Sequence, residues 1–166
     1  MAEMESCIPA LRRYALSLLR DREEVDDLVH DCLVCALDQL HTRRENGELR
    51  PWLFAIMHNL FVSGVRRRGR RPRPVSIDEV DENRLGMQAG QDDHIQTRDL
   101  MRAVDELPEE QRSVLLLVSV EDLSYAQVAG VLGIPIGTVM SRLSRARERL
   151  RQSVDGEKYP ALRRVK

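Results

Sequence analysis

Aromatic residues are scarce in this 166-residue chain: one Trp, three Tyr and two Phe, or 4% of the whole. Strand-forming residues in alternation are missing as well, and no segment repeats. Leu, Ala, Arg and Glu dominate instead, a composition that favours helices over sheet. No apolar run approaches the roughly 18 residues of a membrane span, and the opening MAEMESCIPALRRY lacks the basic-then-apolar layout of a signal peptide. The expectation is a cytoplasmic, all-α protein with no membrane insertion. Cysteine is limited to Cys7, Cys32 and Cys35; an odd number fits reduced thiols filling a core, not a disulfide framework.

Net charge is also nearly absent, at −1, but that sum conceals blocks. Met1 to Ser63 holds 7 basic and 11 acidic residues (−4), and Gly64 to Val75 holds six Arg and no acid (+6). Ser76 to Thr97 has one basic and six acidic residues (−5), and Arg98 to Lys166 has 12 basic and 10 acidic (+2). Two basic stretches flanking an acidic one point to polyanion contacts at defined places.

Helical periodicity is the main structural signal. Ile8, Leu11, Ala15, Leu18 and Leu19 mark a first amphipathic helix, and Val25, Leu28, Val29, Cys32, Leu33, Ala36, Leu37 and Leu40 a second. A third starts at Pro51, a good first-turn residue, and runs through Trp52, Leu53, Ile56 and Leu60 into the arginines. Between Pro72 and about Gln96, prolines, glycines and acids without a period predict a solvated linker. The pattern returns at Leu100, Val104 and Leu107 and restarts after Pro108 with Glu109 and Glu110 in a favourable first turn.

The most informative stretch is LSYAQVAGVLGIPIGTVMSRLSRARERLR. Ser124 and Gln127 are spaced as a capping box, Tyr125, Val128, Ala129 and Leu132 form an apolar face, and Gly133 stops the helix. Pro135 opens a second helix whose buried stripe is Val139, Leu143, Ala146 and Leu150. Two short helices around a tight glycine turn are a helix-turn-helix. At about 100° per residue, Met140, Ser141, Ser144, Arg145 and Glu148 face away from that stripe, flanked by Arg142, Arg147, Arg149 and Arg151. An outward Arg can grip guanine O6 and N7 for about 1–3 kcal/mol of discrimination, while its neighbours hold phosphates. An Arg-rich helix on its own could equally be a solvated surface; the capped, glycine-turned helix before it favours the DNA reading.

At a second basic site, HNLFVSGVRRRGRR, Phe61 and the preceding Trp52 sit close in sequence to the six Arg of residues 64–75, a pairing suited to stacking on exposed bases beside a phosphate track. The competing reading makes both aromatics core residues. HDCLVC invites a metal site from His30, Cys32 and Cys35, but residues i and i+2 of a helix point about 200° apart, and Cys32 lies on the apolar stripe. No cofactor is expected. His58 has no nucleophile or carboxylate at a recognisable spacing, so no enzyme is expected either.

These segments resemble the extracytoplasmic-function sigma factors, the two-domain minimal members of the sigma-70 superfamily. DREEVDDLVHDCLVCAL is similar to the family's core-polymerase-binding helix, RPWLFAIMHNLFVSGVRRRGRR to its promoter-melting and minus-10 segment, and ELPEEQRSVLLLVSVEDLSYAQVAGVLGIPIGTVMSRLSRARERLR to its minus-35 domain. The resemblance implies two small helical domains, a sigma region 2 bundle over 1–71 and a sigma region 4 helix-turn-helix over 98–154, joined by a flexible acidic linker over 72–97 and followed by a basic tail over 155–166. It implies that Asp27, His30 and Asp31 face the clamp helices of the large polymerase subunit, with a further contact to the flap. Trp52, Asn59, Ser63, Arg66, Arg67 and Arg68 would meet the minus-10 strand, and Met140, Ser141, Arg142, Ser144, Arg145 and Arg147 the minus-35 duplex. His30 stands where the family usually has Gln, Ser63 where Asp is common, and Met140 where a basic residue is frequent. An anti-sigma factor is an implied partner. The rivals are a free-standing helix-turn-helix regulator, which would dimerise on a palindrome, and a decoy that only sequesters another protein.

Overall fold

A computed structural model describes residues 2–19, 21–42, 47–68 and 100–158; the acidic linker expected over 72–97 lies outside them. All the regular secondary structure among the described residues is helical, with no strand among them. Helix α1 spans Ala2–Leu18 and α2 spans Arg22–Gln39, followed by a 3-10 turn at Leu40–Thr42. Helix α3 runs Leu49–Arg68, residues 100–105 form α4, and α5, α6 and α7 are Glu109–Ser119, Tyr125–Leu132 and Ile136–Lys158.

Local chemistry explains where the helices begin. Asp21 caps α2 by accepting from the Glu23 backbone N–H at 2.9 Å, and Glu23 and Glu24 add negative charge where the helix dipole favours it. Helix α3 starts at Leu49, two residues ahead of Pro51. Its apolar residues are spread around the whole circumference, since it is covered by α2, α1 and α6 together. Leu53, Phe54 and Met57 are wholly buried there, and Phe54 meets the Tyr14 ring edge-on, with centroids 5.4 Å apart.

Helices α1–α3 form one unit and α4–α7 a second. The buried residues make one connected core running from Met4 to Ala146, because α3 packs on α6 and α1 touches α5. Helix α7 continues through Lys158, into the stretch expected as a basic tail; residues 159–166 of that tail lie outside the described ones.

Candidate nucleic-acid interface

The second unit contains the helix-turn-helix at the expected residues. Ser124 Oγ accepts from the Gln127 backbone N–H at 3.2 Å, and Gln127 Oε1 accepts from the Ser124 N–H at 2.8 Å, completing the capping box. Gly133 sits at φ 64°, ψ 36°, the left-handed conformation that L side chains disfavour, and its N–H returns to the Ala129 carbonyl. Pro135 lies just ahead of α7, where its carbonyl accepts from Thr138 and Val139. Val139, Leu143 and Ala146 are buried and Leu150 half-buried, as the stripe predicts. On α6 the buried residues are Val128 and Val131; Tyr125, Ala129 and Leu132 are half-buried.

The opposite face of α7 is open. Met140, Ser141, Ser144, Arg145, Arg147 and Glu148 are exposed. Arg142 differs, because its guanidinium turns to Glu110 of α5 at 3.0 Å and its side chain is only partly exposed. Glu148 is tied to Arg151 at 2.8 Å and to Gln152 at 2.9 Å.

In the first unit, Asp27, His30 and Asp31 are all exposed on one face of α2 at i, i+3 and i+4. Cys32 points the other way, into the core, and its thiol donates to the Leu53 carbonyl at 3.5 Å. Burial pushes that thiol up to about 12. On α3, Asn59 and Ser63 are exposed and Trp52 is half-buried on the same side, at i, i+7 and i+11. Arg66, Arg67 and Arg68 extend the helix; their side chains lie outside the described residues. Phe61 is buried, so stacking on bases from that position is ruled out: its ring completes the core.

Sequence reasoning missed the contacts between the units. Glu121, 1% exposed, takes two bonds from Arg13 (Nε to Oε1 3.1 Å, Nη2 to Oε2 2.9 Å) and one from Arg50 (Nη2 to Oε2 2.7 Å). Gln127 also bonds Glu48. His58 Nδ1 lies 3.3 Å from the Tyr14 hydroxyl, and its pKa is lowered by burial and by the positive charge of Arg142.

Two family models match in the same places. The model described as "Sigma-70, region 4" covers residues 97–150, and the one described as "Sigma2 domain of PhyR" covers residues 4–58. Together they define a protein of the sigma-70 class, a polymerase-binding bundle coupled to a promoter-reading helix-turn-helix. The chain is 35% identical to ECF RNA polymerase sigma factor EcfG of Rhodopseudomonas palustris over 148 residues, which cover 87% of this chain and 79% of that one. It is 32% identical to RNA polymerase sigma factor HrpL of Pseudomonas syringae, covering 89% and 83%. Among solved structures, the sigma factor RpoE in complex with the anti-sigma factor NepR from Bartonella quintana aligns with a TM-score of 0.74 at 31% identity, covering 93% of this chain and 95% of that one. The chain belongs to the extracytoplasmic-function sigma factors. It is an alternative sigma factor that directs promoter-specific transcription, and the free-standing regulator is set aside.

Proposed function

We propose that this factor works through three exposed faces. Asp27, His30 and Asp31 of α2 bind core RNA polymerase at the clamp helices of its large subunit, with the second unit reaching the flap. Asn59, Ser63 and Trp52 of α3, with Arg66, Arg67 and Arg68, capture unpaired minus-10 bases. Met140, Ser141, Ser144, Arg145 and Arg147 of α7 enter the minus-35 major groove; Arg142, held by Glu110, serves there once that ion pair opens. The factor acts in the cytoplasm and performs no chemistry of its own. An anti-sigma factor is its regulatory partner, as in the complexes formed by RpoE with NepR and by CnrH with the cytosolic domain of CnrY.

The observation that carries this reading is the division of α7. Its buried stripe docks on α5 and α6, while the opposite side offers serines and arginines in the arrangement that reads base edges and clamps phosphates. For the polymerase face, the test is replacement of both Asp27 and Asp31 by Ala. Both side chains are exposed, so the melting transition should be unchanged while affinity for core polymerase falls at least tenfold. Undiminished affinity would remove α2 from the polymerase interface.

A further inference from the structure

The beginning of α7 is unusual for a surface meant for DNA, because its most prominent outward side chains are apolar. Ile136 is 50% exposed and Met140, one turn on, is 53% exposed. Between them Gly137 presents bare backbone, with nothing within 4 Å of where a Cβ would stand. Ser141 follows, and its hydroxyl donates its proton back to the Thr138 carbonyl at 3.1 Å, so only its lone pairs face outward. The first charged group on this line is Arg147, three turns beyond Ile136 and two beyond Met140.

The residues at the start of a helix-turn-helix recognition helix are the ones that reach base edges in the major groove. An apolar pair there cannot form the bidentate hydrogen bonds by which Arg reads guanine or Asn reads adenine. The major groove offers one apolar group, the C5-methyl of thymine, and apolar side chains read it by contact. Tyr125 and Leu143 line the same crevice as Met140, together with Ser144, Arg147, Glu148 and Arg151. A methyl inserted there would leave water on several sides, with Arg147 free to meet an adjoining phosphate while Arg151 is held by Glu148 at 2.8 Å.

We propose that Met140 and Ile136 are specificity-determining residues that select thymine in the minus-35 element by enclosing its 5-methyl group, with Ser141 accepting from an adjacent base amine. This rests on the assignment of α7 to the minus-35 duplex. It makes promoter choice depend on methyl groups at one end of the element and on Arg145 at the other.

The test uses the full chain with core polymerase. A minus-35 sequence is first selected from randomised promoter duplexes, and each thymine in it is then replaced by deoxyuridine, which removes the methyl and leaves the hydrogen-bonding edge unchanged. At one or two positions the replacement should weaken binding about fourfold, the value of one methyl-sized group withdrawn from water. Met140→Ala should bind the thymine promoter about as weakly as the wild type binds the uracil one, and should no longer distinguish the two; Ile136→Ala tests the neighbouring position in the same way. Selected elements without thymine, or equal binding of both duplexes by the wild type, would overturn the proposal. If promoter-dependent transcription persists in those cases, the assignment of α7 stands and only the methyl reading falls; if no sequence is enriched at all, the assignment itself fails.

Discussion

His58 holds its proton more weakly than a free imidazole, because it is partly buried beside Tyr14 and the positive charge of Arg142 disfavours a second cation. A lowered folded-state pKa has a definite consequence. Above the ordinary value of 6.5, His58 is neutral in both folded and unfolded chains and contributes no pH dependence. As the pH falls below that value the unfolded chain takes up the proton first, so stability is lost with acidification. In chemical denaturation between pH 8 and pH 5, His58→Gln should lose less stability than the wild type over the acid half of the range; identical profiles would mean the imidazole is not perturbed. Cys32 shows the same physics in a thiol: raised to about 12 and enclosed by the core, it holds almost no thiolate at neutral pH. Its reading as a packing residue was available from its place on the apolar stripe.

At the scale of elements, α6 is short and depends on its ends. Ser124→Ala removes half of the capping box and should cost about 1 kcal/mol, and Gly133→Ala forces a Cβ into a left-handed residue at about 1–2 kcal/mol. Equilibrium denaturation of the two variants should give these losses; a neutral Gly133→Ala would show that the turn relaxes to another conformation. Both features were legible because they are local, fixed by residues three and four positions apart. The amphipathic stripes of α2 and α7 were legible for the same reason. The circumference of α3 was harder to interpret, since a helix apolar on every side carries no direction until its neighbours are known. That is why Phe61 could be taken for a base-stacking residue when it is core. The exposed face of α7 followed from periodicity and the outward residues of α2 from the family resemblance, whereas the Arg142–Glu110 pair followed from neither, since it joins helices separated in sequence.

At the scale of the whole molecule, the two units share one core, sealed by Glu121 between Arg13 and Arg50. Nothing in the sequence announces this cluster, for Arg13 and Glu121 are 108 residues apart. The carboxylate is buried while both arginines keep partial access to water, so its removal leaves them able to solvate. Glu121→Gln should therefore cost a moderate 1–3 kcal/mol, roughly that of a charged hydrogen-bond partner. Because the lost bonds join the units, the variant should also show a larger radius of gyration in small-angle X-ray scattering; an unchanged radius would mean apolar packing between α3 and α6 holds them alone.

The most direct measurement of the central claim is run-off transcription with purified core polymerase, with and without this chain, on pooled promoter fragments from its host. Discrete transcripts that appear only when the chain is present, and vanish with the Asp27 and Asp31 double substitution, are the predicted result. No new transcript, together with tight binding to duplex DNA without polymerase, would contradict it.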